Sequence, residues 1–163
     1  MTRNLFKGTI CIETGKQGDM MQQFMSQRNN LANEPGHWIL ARAGKKVLRP
    51  GGKQLTAKLI AALEISAQDH LVEIAPGLGF TAAMALSYGP ATYTGIDADS
   101  KAVSHLRKKF HKQEANFVHG DVLASGLPAR SATRVYGEAM LTMQTDKKKV
   151  EIVHEAHRLL KKG

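Results

Sequence analysis

One acid and two glycines, close together in the chain, form the stretch best suited to chemistry. Glu73 comes shortly before Gly77 and Gly79, and an Ala-rich run follows them. Glycines at alternate positions let the backbone approach a ligand, and the first N–H groups of a following helix lack internal partners and carry positive dipole. A carboxylate at the same end favours a cationic ligand over a pyrophosphate. The pattern therefore indicates a binding turn for a polar ligand that carries positive charge.

The same letters also fit a dinucleotide-binding turn. Gly77, Gly79 and Ala82 follow the spacing G-x-G-x-x-G/A, and Asp97 lies at about the right distance downstream for a ribose contact. Glu73 argues against this alternative, and so does the local charge. Residues 71–100 contain three acids and no Lys or Arg, whereas the whole chain has a net charge of +9. An acidic segment in a basic chain does not favour a phosphate-rich ligand, so a nicotinamide-binding domain is the weaker reading.

Short apolar runs alternate with amphipathic runs from residue 71 onward, and these elements must position the glycine turn. Such alternation predicts an α/β fold with parallel strands and right-handed crossovers. An earlier helix is expected to place Leu55, Leu59, Ile60 and Leu63 on one face. The predicted strands are Leu71–Ala75, Thr92–Ile96, Asn116–His119 and Arg134–Glu138, and the predicted helices are Thr81–Tyr88, Ser100–His111 and about Lys147–Lys161.

Acids follow the later strands as well. Asp97 ends the second strand, Asp121 follows the third, and Glu138 ends the fourth. Ligands of open α/β sheets bind beyond the carboxyl ends of the strands, so Asp97 should face the same crevice as Gly77. A carboxylate there can accept hydrogen bonds from both ribose hydroxyls. The alternatives are a helix cap at Asp97, which Asp99 can supply instead, and a turn role for Asp121.

The glycine turn resembles motif I of the class I S-adenosylmethionine-dependent methyltransferases, an acid followed by Gly-x-Gly-x-Gly, with Ala75 in place of the first glycine. The resemblance extends over about residues 48–163. It implies a Rossmann-like parallel sheet of order 3-2-1-4, S-adenosylmethionine as cofactor and S-adenosylhomocysteine as product. The implied cofactor contacts are Glu73, Ala75, Pro76, Gly77 and Gly79 in the turn, Asp97 and Ala98 at the ribose, Asp121 and Val122 at the adenine, Arg49, Gly51 and Thr56 near the methionine end, and Glu138 on the floor between the cofactor and the methyl acceptor.

The acceptor is the part of the reaction on which the resemblance says least. The fourth motif, Gly137 to Met140, lacks the Asn/Asp-Pro-Pro-Tyr ledge of enzymes that methylate bases, which favours a small-molecule acceptor. RNA stays open as an alternative, because the turn Ile74–Gly79 also resembles that of the ribosomal RNA adenine dimethylases. A non-catalytic cofactor-binding remnant is the third reading. Glu138 is the candidate catalytic base, with a cofactor or structural contact as its alternative role.

Composition limits the remaining possibilities. No apolar run approaches the ~20 residues of a membrane span, and the N-terminus lacks the apolar core of a signal peptide. The single cysteine, Cys11, excludes an intrachain disulfide, which fits a cytoplasmic protein. The two histidines of His154–His157 lack the spacing of a zinc-protease helix, so no metal is expected. The basic clusters at 107–112 and Lys147–Lys149 are interpreted as solvated helix faces.

The predicted organisation has two parts. Residues 1–52 form an N-terminal helical cap on the substrate side, with helices over Asp19–Ala32 and His37–Gly44. Residues 53–163 form the cofactor-binding domain, and the usual strands 5 to 7 of the family are absent from this apparently truncated sequence. The fourth strand is then expected to be an exposed edge beside an uncovered last helix, which predicts a self-associating homo-oligomer.

Overall fold

The computed structural model describes residues 52–162, all of which belong to one compact unit. Every helix and strand predicted from residue 71 onward is present, with each end within two residues of its expected place. In chain order the elements are α1 (Gly52–Ala62), β1 (His70–Ile74), α2 (Phe80–Leu86), β2 (Thr92–Asp97), α3 (Ser100–Lys109), β3 (Ala115–His119), β4 (Arg134–Gly137) and α4 (Asp146–Leu159), with 3₁₀ turns at Val122–Ala124 and Leu141–Met143.

Some predictions concern the N-terminal part of the chain. The helices expected at Asp19–Ala32 and His37–Gly44 lie outside the described residues. The same is true of Arg49 and Gly51, and of Cys11. The division into a cap and a cofactor-binding domain near residue 52 therefore stays a prediction.

The sheet is parallel and has the order β3-β2-β1-β4, which confirms the order implied by the resemblance. β1 is central, and Ile74 at its end pairs with Ile96 of β2 on one side and with Gly137 of β4 on the other. The carboxyl ends of these three strands consequently lie side by side. Beside the start of β4, Leu160 forms a parallel bridge to Ala132.

Two apolar cores cover the two faces of this sheet, as alternation along each strand requires. Leu71 of β1 packs in one core with residues of α1, α2 and α3. Val72 and Ile74 face the other way and pack in the second core with α4. The helices thus bury their apolar stripes on both faces, and the loops at the carboxyl edge are left to form a site.

The inner face of α1 differs from the expected one. Leu55 is 51% exposed, whereas Thr56 and Ile60 are the buried residues of this helix. Thr56 and Ile60 lie four residues apart and therefore share one face. The hydroxyl of Thr56 is satisfied there, because its Oγ1 lies 3.1 Å from the carbonyl oxygen of Gly52 and 3.1 Å from Glu138 Oε1. A buried polar residue thus occupies the inward position that the pattern assigned to leucine.

Candidate functional site

The turn between β1 and α2 uses the left-handed backbone region at alternate residues. Ala75 has φ 56°, Gly77 has φ 54° and Gly79 has φ 69°. The Ala75 N–H donates to Ile96 O at 2.8 Å, and the Gly79 N–H donates to Pro76 O at 2.9 Å, so the turn is closed by its own backbone. Left-handed backbone costs a residue with a Cβ roughly 1–2 kcal/mol. Ala75 therefore carries strain at the position where the resembling family has glycine.

The two glycines of the turn serve different purposes. A Cβ on Gly79 would lie 2.5 Å from Leu106 Cδ2 and 2.8 Å from Phe110 Cε2, so this glycine lets α3 pack directly against the turn. A Cβ on Gly77 would meet no heavy atom within 4 Å among the described residues. As far as residues 52–162 are concerned, the surface above Gly77 is thus open, as a ligand-binding backbone requires.

Asp97 meets the glycine turn at the end of β2. Its Oδ2 accepts the Gly77 N–H at 2.9 Å, and its Oδ1 accepts the Asp99 N–H at 2.9 Å. The side chain of Asp99 accepts from Lys101 N at 2.8 Å and caps α3. Helix capping is therefore done by Asp99. Asp97 is buried. Each of its carboxylate oxygens accepts one backbone N–H in these two bonds and can still accept a hydrogen bond from another donor.

Glu138 lies just past β4 and joins three elements. Its Oε1 accepts from Thr56 Oγ1 at 3.1 Å, and its Oε2 accepts from Thr81 Oγ1 at 3.2 Å. Both threonines are buried, Thr56 in α1 and Thr81 in the first turn of α2. Ala139, the next residue, has φ 61°. The structure thus brings two of the predicted residues, Thr56 and Glu138, into contact, and adds Thr81, which the sequence reasoning missed.

Glu73 is buried among aromatic side chains, with 1% of its surface exposed. Its Oε2 accepts from Tyr93 Oη at 2.5 Å and from Tyr136 Oη at 2.9 Å. Burial, and then the negative charge of Glu73, raise the pKa of both tyrosines well above the ordinary 10.0. The carboxylate therefore belongs to a buried polar network on the β1 face that packs against α1, α2 and α3.

The two tyrosines of this network could be found only from strand register. Glu73 pairs directly with Tyr136 in β4 and with Gly95 in β2, and Tyr93 lies two residues before Gly95. Both rings consequently lie on the same face of the sheet as Glu73.

Asp121, which was expected to contact the adenine, is bound to other groups of the chain in this structure. Asp121 Oδ1 accepts from Leu123 N at 3.1 Å and its Oδ2 pairs with Lys148 Nζ at 2.8 Å. The hydrogen bond from Lys148 is the main cause that lowers the pKa of the Asp121 carboxyl. Val122 is buried in the core that packs against α4, while Ala98 is exposed. Asp121 thus acts as a turn and ion-pair residue in this structure, and its expected adenine contact stays a prediction.

The basic clusters lie on exposed helix faces, as interpreted from the sequence, and several of their cations also bind groups of the same chain. Arg107 donates to Phe117 O through Nε at 3.0 Å and Nη2 at 2.6 Å, and Lys109 donates to two carbonyls of the glycine turn. These two cations hold the fold together because backbone carbonyls lie within their reach. In the second cluster, all three lysines pair with acids, namely Lys147 with Glu151, Lys148 with Asp121 and Lys149 with Asp146.

Two kinds of feature are absent from residues 52–162. No group of three or more His, Cys, Asp or Glu side chains in this part of the chain could hold a metal ion. No helix in it is long and apolar enough to cross a membrane.

Comparisons with known proteins agree on a methyltransferase family. A family described as a methyltransferase domain matches residues 71–163. An uncharacterized protein of Haemophilus influenzae is 37% identical over 141 residues, which cover 79% of this chain and 53% of that protein. The chain therefore spans about half the length of the curated relative that it matches.

Solved structures share the fold at low sequence identity. The YcgJ protein of Bacillus subtilis has 23% identity and a TM-score of 0.57, with 66% of this chain and 46% of that chain covered. An S-adenosylmethionine dependent methyltransferase from Mesorhizobium loti has 19% identity and a TM-score of 0.56, with 65% and 49% covered. Phosphoethanolamine N-methyltransferase 1 of Haemonchus contortus, in complex with phosphoethanolamine and S-adenosylhomocysteine, has 16% identity and a TM-score of 0.59, with 65% and 23% covered.

The family match covers more than half of the chain, and the strand order and the glycine turn agree with it. The chain therefore belongs to this methyltransferase-domain family, and it shares its fold with a solved S-adenosylmethionine-dependent methyltransferase.

Proposed function

We propose that this protein binds S-adenosylmethionine over the glycine turn and transfers its methyl group to a small-molecule acceptor. The observation that carries the proposal is the 2.9 Å hydrogen bond from the Gly77 N–H to Asp97 Oδ2. It joins an open backbone turn to a carboxylate at the carboxyl edge of the sheet, next to the point where strand order reverses between β1 and β4. A nucleoside with an amino-acid tail has partners on both sides of that contact.

The charge of this edge favours a cationic ligand. Each strand carries one acid within it or just beyond its end: Glu73 in β1, Asp97 in β2, Asp121 after β3 and Glu138 after β4. Asp121 is paired with Lys148, so it is the other three acids that attract a ligand with a sulfonium and an ammonium group and repel a pyrophosphate. The set therefore supports a methyl donor over a dinucleotide.

The proposed cofactor contacts are those that the family resemblance implies. Asp97 and the exposed Ala98 are assigned to the ribose, and the backbone of Ala75–Gly79 to the methionine part, with Glu73 supporting it from inside the sheet. Thr56 is assigned to the same end, Glu138 to the floor between the cofactor and the methyl acceptor, and Asp121 with Val122 to the adenine. Arg49 and Gly51, which lie outside the described residues, stay predicted contacts of the methionine end.

The protein's contribution to catalysis is mainly position. The sulfonium supplies an activated methyl group when the cofactor is bound, so the chain has to hold donor and acceptor in line and exclude water. Glu138 is hydrogen-bonded by threonine hydroxyls on both oxygens. We therefore assign it to orientation of the ligands, with proton removal as a secondary role for an acceptor that must lose a proton.

A small-molecule acceptor is favoured over RNA for two reasons. The Gly137–Met140 segment lacks a base-stacking ledge, and five cations of the two basic clusters are engaged with carbonyls or acids of the same chain. Independently of the acceptor, the cytoplasm remains the predicted location of the protein. RNA is the alternative, and binding to it should weaken steeply with added salt; a salt-sensitive affinity for an RNA oligonucleotide would favour that alternative.

We also propose that two copies of the chain associate through the outer edge of β4 and through α4. Val150 and Val153 of α4 are 57% and 55% exposed, and β4 is the last strand of the described sheet. Exposed apolar side chains and a sheet edge without a further described strand each favour pairing with a second copy. Light scattering should give twice the mass of one chain, and Val150→Lys with Val153→Lys should restore a monomer. A wild-type monomer at high concentration contradicts this proposal.

Calorimetric titration tests the main proposal. S-adenosylhomocysteine should bind and NADH should not, because only the former lacks a pyrophosphate. Binding of NADH without binding of S-adenosylhomocysteine would contradict the proposal. The cofactor-binding remnant is distinguished from an enzyme by incubating the protein with methyl-labelled S-adenosylmethionine and a panel of small amines, acids and RNA. Cofactor binding without labelled product from any of them supports the remnant.

A further inference from the structure

The last turn of α3 packs directly against the glycine turn. Leu106, Lys109 and Phe110 are spaced three and four residues apart, so they lie on one face of the helix. Leu106 and Phe110 occupy the space that a side chain at Gly79 would need. Arg107, on the same helix, anchors α3 to β3 through the carbonyl oxygen of Phe117. The helix is thus fixed to the sheet on one side and to the glycine turn on the other.

Lys109 provides the polar part of this contact. Its Nζ donates to Leu78 O at 2.9 Å and to Gly79 O at 3.1 Å, and it lies 5.1 Å from the centroid of the Phe110 ring. Gly79 O also accepts the Ala83 N–H at 3.2 Å as α2 begins. One ammonium group therefore holds two consecutive carbonyls where the turn becomes a helix.

The two helices that meet here have opposite effects on a cation: the C-terminus of α3, in whose last turn Lys109 lies, favours it, and the N-terminus of α2 does not. The N-terminus of a helix carries positive dipole, which disfavours a nearby lysine. Partial burial also lowers the pKa of the Lys109 ammonium, which marks the loss of water around it. The two charge-assisted hydrogen bonds offset these costs.

Fixing the two carbonyls also fixes the N–H groups of the turn. In a trans peptide the C=O and the following N–H point in opposite directions. Holding Leu78 O toward Lys109 directs the Gly79 N–H away from it, and this N–H indeed donates to Pro76 O at 2.9 Å. Holding Gly79 O in the same way directs the N–H of Phe80, the first residue of α2, away from Lys109.

We propose that Lys109 is a positioning residue for cofactor binding, which sets the orientation of the Leu78–Phe80 peptides from behind the turn. The proposal rests on the proposed function, since it assigns Lys109 to the site that binds S-adenosylmethionine. Lys109 acts through backbone and touches no reacting atom. No residue of the glycine motif itself supplies this interaction.

The test compares three variants. Lys109→Met keeps an unbranched apolar stem and removes the donors, Lys109→Arg keeps donors and charge, and Lys108→Met is the matched control on the exposed side of α3. S-adenosylhomocysteine affinity is measured by calorimetry at a temperature where thermal melts show each variant folded. The affinity of Lys109→Met for S-adenosylhomocysteine should be about fivefold or more below that of wild type, because a charged hydrogen-bond donor is lost. The affinities of Lys109→Arg and Lys108→Met should stay within about twofold of wild type.

A second readout does not depend on the ligand. Amide hydrogen exchange of residues 77–82 in the free protein should be faster in Lys109→Met than in Lys108→Met. Wild-type affinity and wild-type exchange in Lys109→Met overturn the proposal, as does an equal loss of affinity in Lys109→Arg. If the wild-type protein fails to bind S-adenosylhomocysteine, the proposed function fails, and the exchange comparison still decides whether Lys109 holds the turn.

Discussion

The backbone N–H of Gly77 donates to Asp97 Oδ2 at 2.9 Å, so the acid at the end of β2 helps to hold the glycine turn that follows β1. Asp97 also accepts the Asp99 N–H, and its backbone oxygen accepts the Gly120 N–H at 3.0 Å. One residue thus links three loops at the carboxyl edge of the sheet. A change at Asp97 should therefore act on the site as well as on the loop that contains it.

Asp97→Ala should weaken the binding of S-adenosylhomocysteine by about 1–3 kcal/mol, or roughly fivefold to 150-fold, because buried hydrogen bonds are lost at the ligand and at Gly77. Asp99→Ala is the matched control. It removes the cap of α3 and should cost stability of about 1 kcal/mol while leaving affinity near wild type. Calorimetry and urea unfolding measure the two effects. Unchanged affinity in Asp97→Ala would remove Asp97 from the site.

The two glycines of the turn should respond differently to alanine. Gly79→Ala combines a left-handed backbone with a clash against Leu106 and Phe110, and we expect a loss of about 2–4 kcal/mol in the free energy of unfolding. Gly77→Ala suffers only the backbone strain, so we expect about 1–2 kcal/mol. Urea unfolding of both variants gives the comparison. Equal losses would contradict the packing role of Gly79.

Ala75→Gly should stabilise the protein, which is an unusual outcome for glycine. Glycine relieves left-handed strain of about 1–2 kcal/mol at φ 56° and costs about 0.4–1 kcal/mol through the entropy of the unfolded chain. We expect a net gain of up to about 1 kcal/mol. Ala83→Gly, at an exposed position inside α2, is the control and should lose about 1 kcal/mol. Destabilisation in both variants would show that the strain at Ala75 is negligible.

Asp69 should make stability depend on pH in the acid range. The Thr133 hydroxyl at 2.7 Å and then the Ser66 N–H lower the pKa of Asp69 from 3.8 to about 2. Because the folded pKa lies below the unfolded one, the stabilisation is complete above about pH 4. It is lost as the pH falls through about 2. We expect Asp69→Asn to be less stable than wild type by about 1–2 kcal/mol at pH 7.

Urea unfolding of wild type and Asp69→Asn at pH 7, 4, 3 and 2 measures this dependence. The difference between the two proteins should shrink between pH 4 and pH 2. Asp146→Asn is the control, since its partner Lys149 and the carboxylate itself are exposed, and such surface pairs contribute about 0–1 kcal/mol. A difference that stays constant down to pH 2 would mean that Asp69 has an ordinary pKa in the folded state.

Most of the fold followed from the sequence because its signals are local. Apolar runs bounded by Gly, Pro and Asp predicted β1 to β4 within two residues, and α4 was visible from its own periodicity. The meeting of Gly77 and Asp97 followed from a general rule, since the carboxyl ends of neighbouring parallel strands share one edge. Local pattern and topology were sufficient for these features.

What the sequence did not reveal depends on pairings between distant residues. The sequence reasoning took Glu73 as a charge at the turn, and its bonds to Tyr93 and Tyr136 require the register of three strands. Asp121 was expected at the adenine, and its ion pair comes from Lys148, which lies 27 residues away on α4. Such contacts have no local signal, because side-chain direction on a known sheet decides them.

The central place of β1 has a consequence for the order in which the molecule folds. Glu73 binds Tyr93, which is 20 residues away in the chain, and Tyr136, which is 63 residues away. Closing the longer loop costs more entropy, so contacts between β1 and β2 should form in the folding nucleus and those with β4 afterwards. Stopped-flow kinetics should show slower folding in Tyr93→Phe and faster unfolding in Tyr136→Phe.

The strand that leads to Glu138 would then dock last. A ligand that touches Glu138 should act mainly by slowing unfolding, with little effect on the refolding rate, and S-adenosylhomocysteine should lengthen the life of the native state in this way. We therefore expect the binding crevice to be the part of residues 52–162 that is assembled last and opens first.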